Sequence, residues 1–341
     1  MTLGHSLPGA NRRDGPWQPP AIRSGLVLCA LVLSFRPAEG QSAACRELNR
    51  TVIEQVTNGQ LGKAELALSA VPENPQDPLC TGLIMANLAA IRTMQGKYAE
   101  AETLAQRSLG LLEEHYAKDS PALLRPLHVL AASRLEQGKV AKAREAFQRM
   151  RVLRLDRPMD TALFHDIAGS LLEAEGKPWE AAPEYLAGIR ALDDSGHGDT
   201  AYAGTLLQAL ASSYLQQERL DDARRFLDCA RDVFLHAKDA VPMDFIKFFT
   251  IRAGLYFLQH QWQKAEQDLR QALSMADQES RIEPSTHASL LAGYARVLRK
   301  NRHAAEARQV EKRVESLRQS SSMKDVVDVS GLLPKPKPKK K

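Results

Sequence analysis

The sequence predicts an all-α solenoid of about seven helix-turn-helix units, and three observations carry that prediction. The 341-residue chain is rich in Ala, Leu, Arg, Glu and Gln and poor in β-branched and aromatic residues, a composition that favours helix. A turn of the form Gln-Gly-Lys-x-Ala-x-Ala recurs along it. A second column of small residues stands twelve positions before six of the seven copies of that turn's last alanine.

The turn reads Gln95-Gly96-Lys97-Tyr98-Ala99-Glu100-Ala101, then Gln137 to Ala143, then Glu175 to Ala181. Diverged copies end at Ala223, Ala265 and Ala307, and a poorer one ends at Ala64, so the anchoring alanines lie 37, 42, 38, 42, 42 and 42 residues apart. The earlier column holds Ala89, Ala131, Gly169, Ala211, Ala253 and Ala295, and fails only at Val52. Each unit is therefore a helix, a turn whose glycine takes left-handed backbone, and a second helix running back. The two small residues let the paired helices approach closely. Four residues past the anchor, Phe147, Tyr185, Leu227 and Leu269 are placed to fill the gap to the next unit. Pro183 falls inside a second helix and is expected to bend or shorten it.

These columns resemble the tetratricopeptide repeat, and the 42-residue period is similar to its kinesin-light-chain variant. The resemblance spans roughly residues 44–317 and departs at Val52, Arg252 and Glu311. It implies a right-handed superhelix whose first and last units act as degenerate caps. It also places groove residues 18, 15, 11 and 8 positions before each anchor. Those positions hold Asn49, Arg125, His128, Asp166, Ser170, Thr205, Gln208, Ser212, Lys247, Thr250, Arg296 and Arg299, with Asn87 beside them. The implied function is binding a protein or peptide ligand as a scaffold or adaptor. The Lys–Asn pairing by which some relatives clamp a terminal carboxylate is not found at these columns.

The segments outside the array suggest export. Gly25 to Phe35 is an apolar run of eleven residues, about half of a membrane span, preceded by Arg12, Arg13 and Arg23 and followed by small residues. Residues 1–40 are accordingly expected to be a signal peptide and leader, residues 41–317 the solenoid and residues 318–341 a disordered Lys/Pro-rich tail. No transmembrane helix is expected after cleavage, and the protein is expected in the periplasm, the cell envelope or the medium. The net charge of +5 is carried by five lysines between Pro334 and Lys341, which leaves the body neutral and argues against nucleic-acid binding.

No catalytic constellation, phosphate loop or metal-ligand spacing emerges, so the sequence predicts neither enzyme, cofactor nor metal site. Glu113-Glu114-His115 is expected on a solvated face, and Asp193 to Asp199 in an ordinary loop. Asn49-Arg50-Thr51 is a glycosylation sequon. Cys45 and Cys80 fall near the starts of adjacent first helices, where a disulfide and two buried thiols are equally open readings. Two other functions stay open: an accessory subunit of an enzyme complex, and a regulatory binder acting through the basic tail. The sequence sets neither the partner nor the oligomeric state.

Overall fold

Proline or a capping side chain opens most first helices of the array, and a left-handed residue closes six of the seven. The computed structural model describes residues 42–58, 60–71, 77–278 and 284–320. They form fourteen α-helices: α1 (Ala43–Thr57), α2 (Leu61–Ser69), α3 (Pro78–Met94), α4 (Tyr98–Glu113), α5 (Leu124–Glu136), α6 (Val140–Met150), α7 (Pro158–Ala174), α8 (Pro178–Asp194), α9 (Ala201–Gln216), α10 (Leu220–His236), α11 (Pro242–Leu258), α12 (Trp262–Gln278), α13 (Pro284–Lys300) and α14 (Ala304–Ser320). Consecutive helices pair into seven hairpins, numbered 1 to 7, and consecutive hairpins stack. The signal and leader expected for residues 1–40, and nearly all of the expected tail, lie outside the described residues.

The caps follow the chemistry of helix starts. Ser42, Asp77 and Thr200 accept hydrogen bonds from the backbone N–H groups of Cys45, Cys80 and Ala203. Pro78, Pro158 and Pro242 occupy first-turn positions where no N–H is needed. The first helices end alike. In six hairpins the backbone N–H three residues past the helix reaches five residues back, from Lys97 to Arg92, Lys139 to Arg134, Lys177 to Leu172, Arg219 to Tyr214, Gln261 to Tyr256 and His303 to Leu298.

That closure needs positive φ at the preceding residue. Gly96, Gly138 and Gly176 supply it at 75°, 72° and 75°. In the diverged copies Glu218, His260 and Arg302 occupy the same place at 58°, 59° and 67°, against the preference of side-chain-bearing residues. Glu218→Gly is therefore expected to raise stability by about 0.5–1 kcal/mol, and Gly138→Ala to lower it by about 1 kcal/mol. Urea unfolding of the two variants checks this, and a loss in Glu218→Gly would contradict it.

The seven anchoring alanines, from Ala64 to Ala307, are all fully buried, as are Ala89, Ala131, Ala211 and Ala253 opposite them. Phe147 reaches into the next hairpin, its ring 5.0 Å from that of Phe164. Tyr185 instead turns onto its own hairpin, bonding Ser170 and Glu173. Pro183 does not shorten α8, which runs seventeen residues like α7. A proline six residues into a helix removes one ladder bond early, and the turns on either side carry the helix across it.

Candidate functional site

The first helices form one wall of the array, and their polar side chains bond one another along it. From hairpin 1 to hairpin 3 runs a line of three. Asn87 donates to the Oδ1 of Asn49 at 2.8 Å, and Arg125 donates to the Oδ1 of Asn87. His128 faces Asp166 at 3.2 Å, and Tyr202 donates to the same carboxylate oxygen at 3.3 Å, which ties hairpins 3, 4 and 5. Gln208 donates to the backbone carbonyl of Asp244 at 3.0 Å, tying hairpin 5 to hairpin 6.

The expected groove residues are thus not a solvated face. Asn49, Asn87, Arg125, His128, Asp166, Ser170, Thr205, Gln208, Ser212, Lys247 and Thr250 are all buried. Thr205 and Thr250 donate to carbonyls of their own helices, and Ser170 lies 3.3 Å from the Tyr185 hydroxyl. Arg296 is half-buried over the ring of Phe257, 4.9 Å from its centroid. Arg299 departs from the set: it is exposed, and it donates two hydrogen bonds of 2.7 Å to Glu311 on the second helix of its own hairpin.

Electrostatics sharpen the middle of this wall. Burial pushes the Arg125 guanidinium down to about 9, helped by the charge of Arg157 and opposed by that of Asp160. Burial also lifts the Asp244 carboxyl to about 7, although its Oδ2 accepts from the Val241 N–H at 2.8 Å. The Lys247 ammonium is pushed down by burial, against the pull of Glu136, Asp244 and Asp166. Its Nζ, the Nδ1 of His128 and the Oδ1 of Asp244 are buried without a hydrogen-bond partner.

A different pair of columns joins the hairpins near their turns, and the sequence reading missed it. In four of the six joints the residue after one anchor meets the residue six before the next. Glu65 accepts from Gln95 at 2.7 Å, Glu102 from Gln137 at 3.0 Å and Glu266 from Asn301 at 2.6 Å. Between hairpins 3 and 4 the charges are exchanged, with Arg144 donating to Glu175 at 2.7 Å. Where Ala182 leaves no acid, Gln217 donates to the Pro178 carbonyl at 2.8 Å. Glu266, His303 and Glu306 also converge, but Arg270, Asn301 and Tyr294 already bond their carboxylates.

Other sequence features find plain roles. The sequon Asn49 sits in α1, 1% exposed, with its amide donating to the Cys45 carbonyl at 2.9 Å, so the folded hairpin has no room for a glycan there. Cys45 and Cys80 are joined by a disulfide, their Cα atoms 5.8 Å apart, and Cys229 is free and exposed. Glu113, Glu114 and His115 are exposed at the end of α4, and Glu113 pairs with Arg149. Among the described residues no helix is long and apolar enough to cross a membrane.

Residues 81–151, covering nearly all of α3 through α6, match the family model described as tetratricopeptide repeat. Over that stretch the chain carries tetratricopeptide repeats. Among solved structures it is similar to the apo form of RapI, at 10% identity over 81% of this chain and 98% of that one, with a TM-score of 0.50. It is also similar to BtubC (BKLC) from P. vanneervenii, at 19% identity over 72% of this chain and 95% of that one, TM-score 0.48. A tetratricopeptide repeat protein from Parabacteroides merdae matches at 19% identity over 86% of this chain and 98% of that one, TM-score 0.46. At such identities the likeness concerns the fold of the repeats alone. No curated protein matches the chain.

Proposed function

We propose that the chain is an exported tetratricopeptide scaffold that holds a protein or peptide partner along its first-helix wall and carries out no reaction of its own. The observation that carries this reading is the continuous wall of stacked first helices, along which Lys247 Nζ, His128 Nδ1 and Asp244 Oδ1 are buried without a hydrogen-bond partner. A buried polar group without a partner costs about 1–3 kcal/mol. Side chains of hairpins 3 and 6 that turn outward to relieve that cost meet donors and acceptors together in an extended main chain laid along the wall. Cations and carboxylates that alternate along the wall, Arg125 and Lys247 with Asp166 and Asp244, favour such a mixed partner over a strongly charged one. Export is supported by the basic, apolar and small-residue order of the leader, and by a disulfide of the kind that persists in oxidising compartments.

Affinity capture from an envelope extract tests the wall. Lys247→Met and Asp166→Asn are expected to weaken capture of the same partner by tenfold or more, with Lys142→Met on exposed surface as the control. If inner and outer substitutions act alike, the wall is not the binding surface. If deletion of residues 334–341 alone abolishes capture, the basic tail is. Fractionation of cells expressing the chain with and without residues 1–40 tests export, and an unchanged cytoplasmic location would end that part of the proposal.

A further inference from the structure

Hairpin 1 is built differently from the rest. α2 runs only nine residues and buries Ala64 and Leu68, whereas α4, α8, α10 and α12 run sixteen or seventeen. α1 adds Cys45, Val52 and Val56 to the core, a small apolar contribution for a whole unit. Its ties to hairpin 2 include the Cys45–Cys80 disulfide, the Asn49–Asn87 hydrogen bond, and Glu65 accepting from Arg92 and Gln95.

The disulfide and the polar line of the wall meet at one residue. Asn49 donates to the Cys45 carbonyl at 2.9 Å and lies 3.6 Å from the Cys45 sulfur, while its Oδ1 accepts from Asn87. Asn87 in turn accepts from Arg125. Buried groups therefore run without a gap from the sulfur of hairpin 1 to the guanidinium of hairpin 3.

We propose that hairpin 1 is an oxidation-set latch, which docks on hairpin 2 and fixes the Asn87–Arg125 end of the wall only when Cys45 and Cys80 are bonded. The proposal rests on the export reading in one respect: the oxidising compartment is where the latch closes, so the wall is completed on arrival. Closure needs a disulfide-bearing oxidant. One cysteine thiolate attacks the oxidant's disulfide and expels one of its thiolates. The other then attacks the mixed disulfide and expels the second, so two electrons and two protons leave the pair of thiols and the oxidant departs as a dithiol. The bond spans 35 residues of chain, and closing a loop of that length shifts the docking equilibrium roughly 100-fold or more. The few apolar side chains of hairpin 1 supply far less cover than any later hairpin has.

Hydrogen exchange on the purified chain lacking residues 1–40, oxidised and then held in a dithiol reductant, tests the latch. Thiol titration first establishes the states: Cys229 alone reacts in the oxidised chain, and all three cysteines react after reduction and unfolding. Reduction is expected to speed exchange across residues 43–69 roughly 100-fold while α7 to α14 keep their protection. Cys45→Ser is expected to reproduce this without reductant. Protection of residues 43–69 that survives reduction overturns the latch, as does a loss spread evenly over all seven hairpins or a reactive Cys45 in the oxidised chain. The measurement is made in solution, so a failure of the export reading leaves it standing, and its own failure says nothing about export.

Discussion

Gly169→Val is expected to cost about 3 kcal/mol, at the upper end of what overpacking does. Gly169 faces Tyr185 inside hairpin 4, and a Cβ there would stand 2.6 Å from Cε1 of the tyrosine ring and 2.8 Å from Cζ. The ring cannot retreat. It is 1% exposed, and its hydroxyl is held by Ser170 at 3.3 Å and Glu173 at 3.2 Å. Burial raises the tyrosine pKa well above its ordinary value, with the charge of Glu173 adding to it, so this hydroxyl stays a donor throughout the neutral range. The same column tolerates alanine elsewhere because no ring presses on it: Phe147, in the hairpin of Ala131, turns out toward Phe164 of the next hairpin. Ala211 and Ala253 lie in hairpins whose residue four past the anchor is Leu227 or Leu269 instead of an aromatic ring. Gly169→Val combined with Tyr185→Leu should therefore recover much of the loss in a denaturant titration. A Gly169→Val variant within about 0.5 kcal/mol of the parent would show that the ring can move.

That contrast also marks what the sequence could and could not reveal. The small-residue columns are legible because steric exclusion acts at every repeat with the same sign, and all of the anchors from Ala64 to Ala307 proved fully buried. The turn was legible where glycine supplies left-handed backbone at Gly96, Gly138 and Gly176. It left no residue signature where Glu218, His260 and Arg302 adopt the same conformation under strain. The joints between hairpins escaped for another reason. Their partners change identity from Glu–Gln to Arg–Glu to carbonyl–Gln, so no single column keeps a residue type although the contact is kept. Along the wall, burial is what the sequence does not show. Polar side chains at those positions suit a solvated face equally well. Only the stacking of one hairpin on the next brings Asn49 to Asn87 and His128 to Asp166.

The joint between hairpins 2 and 3 should be the most sensitive of these contacts, and Glu102→Leu is expected to cost about 3 kcal/mol. Glu102 accepts from Arg134 at 2.9 Å, Lys139 at 2.8 Å and Gln137 at 3.0 Å, and the side chains of Glu102 and Arg134 are only 11% and 10% exposed. Burial works against the carboxylate's charge, but the hydrogen bonds from Lys139, Arg134 and Gln137 outweigh it and hold the pKa below the usual carboxylate value. A lowered folded-state pKa means the unfolded chain binds the proton more readily. The contribution is therefore fully present above the ordinary glutamate range and is lost as the pH falls through the lowered value. The gap between parent and Glu102→Leu should accordingly be widest near neutrality and narrow toward acid. The cost of the single variant is mostly that of stranding Arg134, so removing the stranded charge as well should relieve it. Glu102→Leu with Arg134→Met is expected to lie within about 1 kcal/mol of the parent. If the double variant is as unstable as the sum of the two singles, the joint is held by independent packing of each side chain, and the ion pair is incidental to the stacking of the hairpins.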